Sequence, residues 1–208
     1  MSAEATKRWL LGRFTSSLTA APVTYPQDAC AGILYNAGRT SANTTVYKDA
    51  PNLELNLAGG SLAIILNDTE ESEEPLTYGG AYGQNLNTSD FMLEVYWIAD
   101  FTGDPVHSVS PAYTSQAVSD QYFRKLLEAI KQTLRLATYV LLSNGAQVQA
   151  QNWNLVDPDS GQLSTLMGEQ YPMKTYKQPA RQGENSNNLV YAALIEFGYK
   201  ETLRPIGN

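Results

Sequence analysis

The stretch Asn187–Leu203 reads NNLVYAALIEFGYKETL, and it decides the fold. Leu189, Tyr191, Ala193, Ile195, Phe197 and Tyr199 fall on one face of an extended chain, because side chains alternate sides along a strand. Val190, Ala192 and Leu194 share the other face, which turns polar at Glu196 and Lys200. A strand that is apolar on both faces is covered on both. The first half therefore belongs inside a sheet, beside another strand and beneath a helix. The second half emerges toward solvent or a subunit neighbour.

Residues 119–141 supply the helix. Phe123, Leu127, Ile130, Leu134, Ala137 and Leu141 recur at three- and four-residue steps, the stripe of a helix with one buried face. Ser115 or Ser119 is its N-cap, and Asn144-Gly145 mark its end. Partner strands lie upstream. SLAIIL (Ser61–Leu66) and FMLEVYWIAD (Phe91–Asp100) read as the buried arms of a long hairpin. Between them, DTEESEEP (Asp68–Pro75) and the glycine-rich YGGAYGQN read as a protruding loop. Leu53, Leu55 and Leu57 alternate with Glu54 and Asn56 ahead of a turn at Gly59-Gly60.

The N-terminal residues 3–19 read as a second helix that buries Trp9, Leu10, Phe14 and Leu18 and stops before Pro22. Gly12 costs it about 1 kcal/mol relative to Ala. Short strands are expected at Ala31–Tyr35 and Thr44–Lys48, and a loop at 101–114. Ala146–Val156 is expected as one strand with a polar face, DPDSG as a turn and 158–188 as an irregular excursion. Together these elements predict an α+β domain spanning 1–208: a mostly antiparallel sheet, an N-terminal helix and one long amphipathic helix packed on it, plus long loops.

Composition narrows the function classes. Charged residues are 17%, below the roughly 25% of ordinary domains, and 13 Tyr residues suit broad protein contacts. The net charge of −7 disfavours direct DNA binding, which calls for a basic face. A single cysteine, Cys30, excludes an intrachain disulfide framework. No apolar run approaches the ~18 residues of a membrane span, and no signal-peptide pattern opens the chain. The expectation is a soluble protein made in the cytoplasm.

No constellation of catalytic residues stands out, and the chain reads as a non-enzyme. His107, the only histidine, sits in a loop between Pro105 and Pro111, and Cys30 has no partner type beside it. Asp157–Gly161 begins like a calcium loop, but Gln162 and Gly168 stand where Gly and Glu are required. Asp90 with Glu94, and Asp100 with Asp104, are carboxylate pairs of the kind glycosidases use, without a basic or histidine companion. Gly59-Gly60 and Gly79-Gly80 lack a phosphate-loop pattern. No metal or cofactor is expected. The strongest short motif is the acidic run, whose Glu70, Glu71, Glu73 and Glu74 are the candidate partner-contact residues, because clustered charge steers complementary surfaces.

The order of elements resembles a known family. The segments ATKRWLLGRFTSSL, NLELNLAGGSLAIILN, DFMLEVYWIAD, QAVSDQYFRKLLEAIKQTLRLA, VQAQNWNLV and NNLVYAALIEFGYKETL follow one another as helix, strand pair, helix, strand pair. That order is similar to the phage tail-terminator and tail-completion proteins, the minor tail protein U-like group. Against that pattern the chain carries insertions at 20–50, 68–90 and 158–188. The resemblance implies a structural virion protein at the head–tail junction. It would form a ring of about six subunits that caps the tail tube, stops its elongation and joins the tail to the head connector. Its implied partners are other copies of itself, the tail tube protein and the connector or neck protein, with the tail sheath a further candidate. DNA would pass through the ring without specific binding. A head-completion or neck adaptor is the nearest alternative. A carbohydrate- or receptor-binding module, with Tyr and Trp stacking on sugars, is the alternative of another class.

Overall fold

The computed structural model describes residues 3–20, 27–28, 30–50, 59–75, 85–99, 116–136, 139–141, 147–149, 153–156, 163–167, 173–182 and 189–203. The helices are α1 (Ala3–Ser17), α2 (Ile33–Asn36) and α3 (Gln116–Leu136). The strands in chain order are β1 (Gln27–Asp28), β2 (Thr44–Tyr47), β3 (Leu62–Pro75), β4 (Asn85–Ala99), β5 (Tyr139–Leu141) and β6 (Gln147–Gln149). They continue with β7 (Trp153–Val156), β8 (Leu163–Met167), β9 (Lys174–Lys177), β10 (Arg181–Gln182) and β11 (Leu189–Leu203).

The quoted C-terminal stretch is β11, and it lies inside the sheet. On one side it pairs with β4 along its whole length, from Leu189 opposite Ala99 to Leu203 opposite Asn85. On the other side β10, β9 and β8 pair with successive parts of it. The large sheet runs β2-β3-β4-β11-β8-β7, with β9 and β10 also on β11. Among the described residues only the β2–β3 pair is parallel. The fold class is therefore the expected one, α+β with a mostly antiparallel sheet.

Alternation along β3, β4 and β11 builds the core. Leu62, Ile64 and Leu66 stand beside Trp97, Val95 and Leu93, which stand beside Tyr191, Ala193 and Ile195. All nine are buried, and with them Leu10, Phe14 and Leu18 of the α1 region and Phe123, Leu127, Ile130 and Leu134 of α3. Trp97 is the hub: its ring centroid lies 5.1 Å from Tyr122, 6.2 Å from Phe123 and 5.2 Å from Tyr191. Each large side chain so covered stabilises the fold by about 1.5–3 kcal/mol.

Polar links fasten the helices. Thr133 Oγ1 donates to Ala129 O (3.0 Å), so its single proton is committed. The 2.9 Å contact between Ser17 Oγ and Thr133 Oγ1 is therefore donated by Ser17, whose oxygen in turn accepts the Leu34 N–H at 3.1 Å. One directional chain thus crosses α2, α1 and α3 inside the core. Arg39, also buried, donates to Gly60 O (2.6 Å) and Tyr122 Oη (3.2 Å), and Tyr122 donates to Ala37 O (2.7 Å).

Five expectations are corrected. Ala31–Tyr35 is not a strand. Gly32 is left-handed (φ 75) and Gly38 likewise (φ 81), and between them the chain closes the single turn α2. The acidic run Asp68–Pro75 is not a loop but the outer half of β3, paired with β4 as far as Pro75–Asn85. The long helix ends at Leu136 rather than Leu141. Tyr139–Leu141 is instead strand β5, held between β1 and β6 in a separate three-stranded sheet; Tyr and Val there suit a strand. Ala146–Val156 is two strands in different sheets, β6 with β5 and β7 with β8. The excursion 158–188 contains β8, β9 and β10, short runs that carry little apolar alternation. The Leu53–Leu57 alternation, the 101–114 loop, Ser115, the Asn144-Gly145 helix end and DPDSG lie outside the described residues.

Two substitutions test this packing. Leu134→Asp places a charge in the helix–sheet interface, costs several kcal/mol and is expected to abolish cooperative folding. A soluble variant with a cooperative thermal transition would show that α3 packs by another face. Gly12 is an exposed helical residue with open space around its Cα. Gly12→Ala is expected to stabilise by about 1 kcal/mol, seen as a Tm rise of roughly 2–4 °C.

Candidate assembly surface

Beyond Leu66, β3 leaves the shelter of the helices. β2 flanks it only from Leu62 to Ile65. Every residue from Asp68 to Pro75 is exposed, and Glu70, Glu71, Glu73 and Glu74 lie within that run. The pairing steps from Asp68–Phe91 to Glu70–Asp90, so Thr69 is an extra residue in a β-bulge. Its Oγ1 donates to Asp90 O at 3.1 Å. Past the bulge, Glu71 and Glu73 stand opposite Ser89 and Asn87 on the helix side of the sheet. Glu70 and Glu74 stand opposite Asp90 and Leu86 on the other side. The four glutamates therefore present charge from both faces of one rigid arm, backed by β4 and β11.

A cationic joint sits where the arm leaves the core. Lys7 of α1 is buried and its Nζ bridges Asp49 and Asp68. Nearby, Lys48 Nζ lies 2.6 Å from Glu4 Oε1, and Arg8 Nε lies 2.8 Å from the same oxygen. Burial pulls the Lys7 pKa down, but hydrogen bonds to Asp49 and Asp68 outweigh it and the net shift is upward. The Lys7 hydrogen bond holds the Asp68 carboxyl below its ordinary value against opposing burial. Lys48 does the same for Glu4. The joint ties α1 and the segment after β2 to β3 one residue before the bulge.

The face of the sheet away from the helices is partly polar. Glu94 accepts from Asn67 Nδ2 (2.8 Å) and from Tyr96 Oη (2.7 Å). Burial, then the bond to Glu94, pushes the Tyr96 hydroxyl up to about 12. An open cleft of about 360 Å³ lies by the bulge, lined by Thr69, Asp90, Met92, Lys174 and Glu196 among others. Across the sheet from the acidic arm, the β9–β10 rim carries Lys174, Lys177 and Arg181, all exposed, with Tyr176 half exposed between the lysines. Sequence reading missed this rim because KTYKQPAR has no apolar alternation; its signal was three cations within eight residues.

The other sequence candidates separate. Asp90 is exposed, whereas Glu94 is held by Asn67 and Tyr96. Cys30 is fully buried, its Sγ 3.5 Å from Arg13 O. Gly59-Gly60 forms the turn into β3, with Gly60 at φ 82. His107, Asp100, Asp104, Asp157–Gly161 and Gly79-Gly80 lie outside the described residues. Among the described residues no group of His, Cys, Asp or Glu converges to hold a metal ion, and no helix is long and apolar enough to cross a membrane. No protein-family model and no curated protein matches this chain.

The joint makes stability depend on pH at both extremes. A lowered Asp68 pKa gives stabilisation that is present above the ordinary aspartate range and lost as pH falls through the lowered value. A raised Lys7 pKa gives stabilisation present below the ordinary lysine range and lost as pH rises through the raised value. At pH 7, Asp68→Asn is expected to cost about 1 kcal/mol, the size of a solvent-screened, half-exposed charged hydrogen bond. Thermal melts in a pH series should show the gap to wild type shrinking below about pH 4. A gap independent of pH would mean that Asp68 acts by packing alone.

Proposed function

We propose that this protein is a ring-forming subunit of a phage head–tail junction, acting as a tail terminator. The observation that carries the reading is architectural. A helix, a long hairpin, a second helix and a final sheet-completing strand occur in the order of the resembled family, and half of the hairpin projects from the core as an acidic arm. Such an arm has no core to serve, and clustered exposed charge on a rigid support suits contact with another surface. Copies in a ring would each present one. An acidic assembly would also let DNA pass its lumen without adhering, in keeping with the net charge of −7.

A head-completion or neck adaptor uses the same architecture at the neighbouring joint, and the two differ in what they stop. The terminator reading expects purified protein to arrest polymerisation of the matching tail tube subunits, and negative-stain images to show rings of about six at the tube end. An adaptor instead binds the connector and leaves tube growth unchanged. Tubes that lengthen at the same rate with and without the protein would reject the terminator assignment.

A further inference from the structure

We infer that copies of this chain associate head to tail through opposite rims of the large sheet, the acidic outer half of β3 in one copy meeting the basic β9–β10 rim of the next. The inference deepens the ring reading, and rests on it only for the closing of the chain of copies into a ring.

Three observations support it. First, the rims carry opposite charge: Glu70, Glu71, Glu73 and Glu74 on one, and on the other Lys174, Arg181 and Lys177, whose Nζ also lies 3.7 Å from Asp120 Oδ1, all on exposed residues. Two acidic rims repel, and so do two basic rims, so the symmetric face-to-face dimer is disfavoured and the head-to-tail contact is left. Second, strand directions match. β3 is antiparallel to β4, β4 to β11, and β11 to β9, so β9 runs opposite to β3. A neighbour set beside the sheet in the same orientation therefore brings its β3 antiparallel to β9, the sense in which neighbouring strands pair most stably. Third, Tyr176 is 49% exposed on the basic rim and is one of few large hydrophobic side chains so exposed among the described residues. Aromatic residues are enriched at protein interfaces relative to the rest of the surface. A long charged sheet edge otherwise serves to keep strangers away. Here the complementary charge on the opposite rim selects one partner, a second copy.

The rims are not level. β9 faces Ala193–Glu196 of β11, whereas the acidic half of β3 lies level with Phe197–Leu203. Docking therefore shifts each copy along the strand direction by about five or six residues, roughly 18 Å. In a closed ring this shift tilts the strands away from the ring axis, as shear does in a barrel.

Charge exchange tests the contact. One variant carries Glu70→Lys, Glu71→Lys, Glu73→Lys and Glu74→Lys; a second carries Lys174→Glu, Lys177→Glu and Arg181→Glu. Each has two rims of like charge and is expected to self-associate at least ten-fold more weakly than wild type in sedimentation and native mass measurements. Mixed one to one, their rims again match, and association is expected to return in assemblies that alternate the two chains. Circular dichroism checks that each variant is folded. Should either not fold, wild-type association measured from 50 to 500 mM salt decides instead, with pronounced weakening expected as charges are screened. Variants that associate like wild type, a mixture without recovery, salt-independent association, or a wild type monomeric at every concentration would each overturn the rim contact. The terminator reading is judged separately by tube arrest, so rings that form despite both exchanges would leave that reading standing and remove only this one.

Discussion

The structure depends on one unbroken pairing, β4 against β11, in which fifteen residues of each strand stand in register. Strand side chains alternate with a period of two, so a slip of one position would turn Trp97, Val95, Leu93 and Phe91 away from the helices together. The register that forbids this is also what places Tyr191, Ala193, Ile195 and Phe197 beside them. β3 takes its face from β4, and α1 and α3 then pack on the surface so defined. The stacked Phe91 and Phe197, 5.6 Å apart, mark where the buried part of that surface gives way to the arm.

At that boundary the molecule changes its means of support. Inside it, stability comes from apolar area; at it, from Lys7 held between two carboxylates; beyond it, from the backbone ladder of three long strands. The bulge at Thr69 lies at the same point. Bulges bend a strand and increase its twist, so the arm need not follow the plane of the buried half. A charged segment that would be solvated coil by itself is kept extended because β4, itself backed by β11, runs beside it as far as Pro75.

Much of this was legible in the chain. The alternation Leu189–Phe197, the buried runs in β3 and β4 and the stripe Phe123–Leu134 each gave the observed element and the observed buried face. The illegible parts share a cause: their structure is imposed by partners distant in sequence. Glu70–Glu74 has no apolar alternation because both faces meet solvent, and only pairing with β4 makes it a strand. β8, β9 and β10 are short, without regular apolar alternation, and each pairs with β11. Leu141 continues a helical period, yet the tertiary gain from pairing Tyr139–Leu141 on both edges wins over it. At the candidate surface, the acidic half was visible as a charge run. The Lys7 joint was not, since it gathers residues that only the fold brings together, and the basic rim showed only as three cations within eight residues of a run without apolar alternation.

The place of β11 in the sheet has a consequence for biosynthesis. Strands β3 and β4 are made early, but β4 has its second neighbour only after about a hundred more residues have been translated, roughly 5–20 s later. Through that interval the hairpin carries an open inner edge rich in Leu, Val and Trp, the kind of edge that recruits foreign strands. Charged residues flanking an apolar strand oppose aggregation, and Glu70, Glu71, Glu73 and Glu74 stand at that place on the hairpin until the final strand arrives to close the sheet.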